Sequence, residues 1–550
     1  MLLSRPPPGP PALTAAPRRA EPMSAVKHPY ARHLLTTSFL AAALLLSAIW
    51  VLRIRDAAQD DFFISYTYAR NLAEGHGFVY NRDAAVFGLT NPGLALLQAL
   101  GHVVTGLSVP WVGTLLTAAG LLGCFVLLLL EGRQIGRTVE AGVGGLLLLG
   151  SSWLWSTNGG AWPLVFTLAL IAARLQQTRP WVAGVLIGYA VWARPDAVLA
   201  VGPLALLMLI AERKLPVRFG AVRFGLAAGA VILLGMALAY WYFGAVLPQT
   251  LGAKQLTAAA SAADQWTGLR FWQRAVPLFP RHFGTYWPFL FLVGGGGLVV
   301  WFRAARRGGS LGGQLLVLYG VALAIAYPLL GIPFFSWYAS PPLAILLVGC
   351  GYAVGGVGRS AVRAVQALGA SRGREPSPGL RGGGATLAGL VSGLLLLGGL
   401  LWTYLPATHG WYQGYHGFGH LDTYRRGAEW IRENTDPAAR IAYVEIGVLG
   451  YYAERDIQDL LGLVSPEVLP YVATHDLVGA FLVRPTELVA FHSRGRMGPI
   501  IHAPWFPGTY RAVAFFPDRG TDPADRKGLT IYQRRKRGQL PKARPPRPLP

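Results

Sequence analysis

The chain has 550 residues, of which 53% are hydrophobic and only 14% charged, with a mean hydropathy of +0.39. So few charges cannot solvate the surface of a soluble protein of this size, and lipid is the expected solvent for much of the chain. The net charge of +23 would suggest nucleic acid in a soluble protein, so here its meaning depends on where it sits.

Residues 1–33 are rich in Pro and Arg and read as a disordered, basic cytoplasmic N-terminus, with Met23 as an alternative start. The apolar run that follows ends at Trp50, Leu52 and Arg53 without a small-residue cleavage site, so a retained anchor is expected. Apolar stretches near the length needed to cross a bilayer lie at 34–52, 111–131, 141–155, 161–175, 180–193, 196–211, 220–243, 285–303, 313–331, 337–356 and 384–405. This predicts a polytopic α-helical membrane protein of about eleven spans (eleven to thirteen possible), with the spans between 34 and 405. Basic residues cluster at Arg133–Arg137, Arg174–Arg179, Arg213–Arg223, Arg303–Arg307 and Arg359–Arg381. The positive-inside rule puts these in the cytoplasm, leaving 53–110, 244–284 and everything after 405 outside.

That assignment holds only if the apolar stretch 91–108 does not cross, so it is predicted to lie in the outer interface. Cytoplasmic segments then carry 21 basic against 5 acidic residues, and the tail after Gln533 adds 7 more positive charges. The excess is a topology signal plus a basic tail, and no nucleic-acid face is implied. Arg outnumbers Lys 43 to 6, as in a GC-rich genome, and a bacterial cell membrane is the expected location. Cys124 and Cys350 both fall in predicted spans, which implies no disulfide framework.

Residues 406–533 change character and predict a small extracytoplasmic α/β domain. It has a helix at Tyr424–Asn434 and strands at Arg440–Glu445, Ile457–Leu461, Ala512–Phe516 and Leu529–Tyr532. Its acidic residues read as solvated surface. The last stretch, 534–550, is basic, Pro-rich and predicted to be disordered.

Asp60-Asp61-Phe62-Phe63-Ile64-Ser65-Tyr66-Thr67-Tyr68 carries the strongest chemical signal. Apolar spacing predicts an amphipathic helix over 62–74, ended by Gly75 or Gly77, with the Asp pair at its N-terminus. A carboxylate there suits either a helix cap or a general base acting on a hydroxyl. Two carboxylates side by side raise the pKa of one of them.

The run from Asp60 to Asn81 resembles the first outer loop of the GT-C membrane glycosyltransferases. It is especially similar to the mycobacterial terminal arabinofuranosyltransferases and their bacterial relatives. The matching residues are Asp60, Asp61, Ile64, Tyr68, Ala69, Asn71, Leu72, Gly75-His76-Gly77, Val79, Asn81 and Thr90-Asn91-Pro92. Arg194-Pro195-Asp196, Leu247-Pro248-Gln249-Thr250 with Ala253-Lys254, Trp337-Tyr338 with Pro341-Pro342, and Glu445-Ile446-Gly447 continue the likeness in the same order. Two departures bear on sugar specificity. Asn158-Gly159-Gly160-Ala161-Trp162-Pro163 lacks the Glu usual in that turn, and Gln249 replaces Asn.

The resemblance implies an inverting transfer from a polyprenyl-phosphate-linked sugar to an envelope glycan, lipid or protein hydroxyl. Asp60 would be the base, with Asp61 orienting it or holding a divalent cation (Mg, Mn or Ca). Lys254, Arg194 and Arg70 would face the donor phosphate, and Tyr68, His76, Asn91 and Asp196 would line the substrate site. The residues themselves leave other roles open. Arg194 and Asp196 can simply pair at a helix hairpin, Lys254 can be an interface anchor, and His76 can be a turn residue. The alternative function is a transporter or flippase of lipid-linked intermediates. It predicts internal repeats, which the sequence lacks.

Overall fold

The computed structural model describes residues 29–54, 58–213, 219–259, 268–370, 418–493, 495–519, 527–536, 539–541 and 545. The predicted disordered N-terminus up to residue 28, the predicted span 384–405 and most of the basic tail lie outside these.

The bundle helices are α1 (Pro29–Ile54), α4 (Val109–Gln134), α5 (Thr138–Gly150), α6 (Trp162–Leu175), α7 (Pro180–Ala193), α8 (Val198–Glu212), α9 (Gly220–Phe243), α11 (Trp287–Arg307), α12 (Leu311–Leu329) and α13 (Ser336–Ala370). Two helices, α2 (Asp60–Ala73) and α3 (Pro92–Thr105), lie in the first long loop, and α10 (Gln249–Ala259) lies in the second. Among the described residues seven helices are long and apolar enough to cross a bilayer, and they coincide with predicted spans at 34–52, 111–131, 196–211, 220–243, 285–303, 313–331 and 337–356.

The other three described spans are shorter helices. α6 and α7 have 14 residues each, about 21 Å at 1.5 Å per residue, against a hydrocarbon core of about 30 Å. The predicted span 141–155 is broken at Ser151, whose extended backbone separates α5 from the turn Ser152–Trp155. The 141–155 segment and much of α6 are buried against neighbouring helices, whereas α7 exposes Trp181, Val182 and Val185.

The basic segments converge on one end of the bundle. Glu140 pairs with both Arg137 and Arg359. Glu131 accepts hydrogen bonds from the Gly313 amide (3.0 Å) and the Trp301 indole (3.3 Å). Gly308 lies against Ile135, and Gly184 near the start of α7 lies against Phe224 near the start of α9. The opposite end gathers the end of α1, the start of α4 and the 156–161 turn. There the Asn158 amide donates to the Ile54 carbonyl (3.4 Å) and the Thr114 hydroxyl (2.8 Å). Gln59 donates to Ser156 and Ser336.

Both ends of α3 lie at this second end. Gly93 packs on Trp192 and Ala193 at the close of α7, and Gly101 packs on Val112 at the opening of α4. The Tyr189 hydroxyl also donates to the Gly93 carbonyl (2.7 Å). With 14 residues and both ends on one side, α3 runs across the end of the bundle rather than through it.

The C-terminal α/β domain opens with α14 (Phe418–Asn434). It continues through β1 (Ile441–Tyr443), α15 (Gly447–Ala453), β2 (Ile457–Asp459), β3 (Leu488–His492), β4 (Tyr510–Pro517) and β5 (Gly528–Arg534). The sheet order is β2-β1-β3-β5-β4. β1 pairs in parallel with β2 and β3, while β5 runs antiparallel to β3 and β4. The four predicted strands are present, but the central β3 was not anticipated. Its Leu-Val-Ala-Phe-His run is buried on both faces and so lacks the alternation that marks a half-exposed strand.

This domain does not stand apart from the bundle. One core joins Phe63, Tyr66, Tyr68, Tyr80 and Phe87 of the first loop to Ile441, Tyr443, Leu449, Ile457 and Leu460 of the domain. That contact corrects the reading of α2 as amphipathic. Every residue from Phe62 to Asn71 is buried, because the C-terminal domain covers the face expected to meet water.

Candidate functional site

α2 begins at Asp60 and ends before Glu74, with Gly75 (φ 81°) and Gly77 (φ 92°) supplying the left-handed turn that stops it. The two aspartates in its first turn therefore leave the helix in different directions and meet different partners.

Asp60 is gripped by the C-terminal domain. Its Oδ2 accepts the Gly447 amide at 2.9 Å and its Oδ1 accepts the Val448 amide at 2.8 Å, both from the first turn of α15. The approach is so close that a Cβ at Gly447 would fall 1.8 Å from the Asp60 carbonyl oxygen. Burial pushes the Asp60 carboxyl up to about 6; the Val448 amide opposes this, the Asp61 charge adds to it, and the Gly447 amide opposes it.

Asp61 turns toward the second long loop, where the Lys254 ammonium of α10 lies 3.1 Å from its Oδ2. Burial works against the charge on Lys254, but Asp61 outweighs it and holds the ammonium above its ordinary pKa. Lys254 also sits over the rings of Phe335 (4.9 Å) and Trp337 (5.7 Å), which stack on each other at 4.4 Å. Phe62 packs on Trp337 at 5.7 Å, so α2 and the start of α13 form one wall. The predicted Trp337-Tyr338 motif thus adjoins the Asp pair.

Tyr338 extends the wall to Tyr327 at 4.9 Å, and Tyr327 reaches Arg194 and Asp196. Arg194 donates through Nε to both Asp196 oxygens (2.9 and 2.7 Å) and through Nη2 to the Tyr327 hydroxyl (2.7 Å). The hairpin pairing left open by the sequence is therefore the arrangement present.

Four other predicted site residues have partners elsewhere. Arg70 donates to the Tyr451 carbonyl and lies 4.8 Å from the Tyr451 ring centre, fastening α15 to α2. The Tyr68 hydroxyl donates to the Val86 carbonyl (2.6 Å) and accepts the Gly88 amide (3.0 Å). Asn91 accepts from the Ser65 hydroxyl (2.6 Å). His76 is exposed beside Glu74 at 3.6 Å. These contacts shape the loop and do not bring the four side chains to the Asp pair.

Sequence reasoning missed the contribution of the C-terminal domain. Its acidic residues were read as solvated surface, yet Asp459 is fully buried and accepts the amides of Leu461 (2.9 Å) and Val464 (3.1 Å). Glu445 follows β1, two residues before Gly447. It touches solvent but is crowded by protein, and burial with the charges of Asp60 and Asp61 pushes its carboxyl up to about 8. The Glu445-Ile446-Gly447 pattern was visible in the sequence, but nothing local showed that Asp60 was its partner.

Each Asp60 oxygen accepts one amide, and Asp61 holds the Lys254 ammonium. Among the described residues no group of three or more His, Cys, Asp or Glu is arranged to hold a metal.

Residues 415–532 match a family described as a domain of unknown function (DUF8728), which covers the C-terminal α/β domain. No curated protein matches the chain in sequence. Solved structures do match in fold. The Archaeoglobus fulgidus oligosaccharyltransferase tethered to an acceptor peptide containing the NVT sequon has a TM-score of 0.52 at 12% identity, covering 88% of this chain and 74% of its own. ArnT from Cupriavidus metallidurans bound to undecaprenyl phosphate also has a TM-score of 0.52, at 13% identity, covering 92% of this chain and 99% of its own. The likeness thus extends over the bundle and the C-terminal domain together, and the chain shares the overall fold of these two solved structures.

Proposed function

We propose that the protein is a membrane glycosyltransferase, moving a sugar from a polyprenyl-phosphate donor to a hydroxyl of an envelope glycan, lipid or protein. The reaction takes place at the extracytoplasmic face of a bacterial cell membrane, with inversion. The observation that carries this reading is the convergence of Asp60, Asp61 and Lys254 where the bundle, both long loops and the C-terminal domain meet. Support also comes from the fold shared with ArnT, which was solved with undecaprenyl phosphate bound.

In this scheme the acceptor oxygen attacks the anomeric carbon while its proton passes to Asp60. The bond from that carbon to the phosphate oxygen breaks, and the phosphate leaves with the electron pair. A base works best with a pKa near the working pH, and burial brings Asp60 to about 6. The departing phosphate needs positive charge rather than an acid, and Lys254, steadied by Asp61 and two rings, supplies it. Arg194, neutralised by Asp196, lies further along the aromatic wall and shapes the recess at a distance from the phosphate.

The test is incubation of the purified protein with a panel of polyprenyl-phosphate sugars. Donor consumption is expected for at least one, falling by about 100-fold or more in Asp60→Asn, since a lost general base typically costs about 10²–10⁴-fold. Membrane insertion should be retained in that variant. Full activity in both Asp60→Asn and Asp61→Asn would sink the mechanism.

A further inference from the structure

We propose that the C-terminal α/β domain is a working part of the catalytic centre: the Gly447 and Val448 amides position Asp60, and Glu445 is an acid of the same recess, facing the incoming phosphate donor. This rests on the glycosyltransferase reading above and adds to it a role for a domain of unknown function.

Three observations support it. Both Asp60 oxygens take their hydrogen bonds from residues 387 and 388 positions later in the chain, so the orientation of the carboxylate is set by the C-terminal domain. The fit depends on Gly447 having no side chain, because a Cβ would overlap the Asp60 backbone. Glu445 is exposed between the buried Val444 and Ile446, at the carboxyl end of the parallel strand β1, which is where open parallel sheets present their ligand-facing groups.

The charges around Glu445 explain its behaviour. It faces Asp60 and Asp61 from α2, with Lys254 beyond Asp61, and Asp459, Arg496, Tyr443 and Tyr424 from its own domain. Burial and the negative neighbours outweigh Arg496, which raises the Glu445 pKa and favours its protonated form. In that form it adds no repulsion against an anionic phosphate donor. Above about pH 8 it ionises, and a third carboxylate beside Asp60 and Asp61 opposes donor binding.

Two variants test the two halves. Glu445→Gln fixes the uncharged form, so the decline of kcat/KM above pH 8 should disappear, with the ratio of rates at pH 9 and pH 7 rising about five- to tenfold. Glu445→Asp should keep the decline. Val448→Pro removes one amide donor in the first turn of α15, where the amide makes no bond within the helix. The loss of a hydrogen bond to the ionised form raises the Asp60 pKa, so the acid limb should move to higher pH and kcat should fall about tenfold. Val448→Ala keeps the amide and separates the effect of the side chain, and the acid limb should shift for proline alone.

Transfer by all variants with unshifted limbs would overturn this inference and leave the glycosyltransferase reading standing. No transfer by the unsubstituted protein with any donor would overturn both.

Discussion

Asp60 and Asp61 are adjacent, yet their environments give them different work. Asp60 meets two amides in a setting whose burial raises its pKa; Asp61 meets an ammonium. In the proposed mechanism the base Asp60 must be ionised, so kcat/KM should fall as pH drops through about 6, the value to which burial lifts Asp60. A pH–rate profile with its acid limb near 4 would contradict this. Lys254→Ala removes the cation while leaving Asp60 in place, so transfer should drop by about 100-fold or more, as for removal of one stabilising group. At this scale the sequence showed the Asp pair, Lys254 and the aromatic motif, because each sits in a distinctive local pattern. It did not reveal what Arg70 and Tyr68 do, since both are polar residues on a helix whose far face is covered by a distant domain.

The elements around the site act as clasps. Asn81 is bonded to β2 like a short extra strand, donating to the Ile457 carbonyl and accepting its amide, both at 2.8 Å. The Tyr80 hydroxyl reaches the Ile446 carbonyl at 2.6 Å, and the Gln249 amide reaches the Gly462 carbonyl at 2.5 Å. Asn81→Ala would leave a buried strand amide and carbonyl unpaired, at about 1–3 kcal/mol for each. Protease sensitivity of the C-terminal domain in detergent should rise accordingly, while Arg82→Ala, which bonds Asp456 through its backbone amide, should change little. Helices such as α4 and α9 were legible as apolar runs. β3 was not, because a short run buried on both faces looks the same in a strand as in a helix. The Asn81 clasp was invisible because its partner lies 376 residues away.

For the whole molecule, the arrangement of helix ends predicts sidedness. His76→Cys and Glu433→Cys lie at exposed positions of the first loop and the C-terminal domain, and Thr178→Cys at an exposed position of the basic end. An impermeant maleimide applied to intact cells should label the first two together and spare Thr178→Cys until the membrane is opened. The native Cys124 and Cys350 are buried and should contribute no signal. Labelling of Thr178→Cys together with His76→Cys would break the topology. The short α3 decides this outcome: had it crossed the bilayer, every later loop would change side.

The grip of Gly447 and Val448 on Asp60 also has a consequence in time. A ribosome makes about 5–20 residues per second, so Asp60 emerges roughly 20–80 seconds before the amides that orient it. During that interval the first loop has left the translation machinery without its covering domain. A chain stopped before residue 447 carries both aspartates and Lys254 but lacks the groups that aim the base. On the proposed mechanism, competence is conferred late in synthesis, and a truncated product is expected to be inert even though most of its bundle is complete.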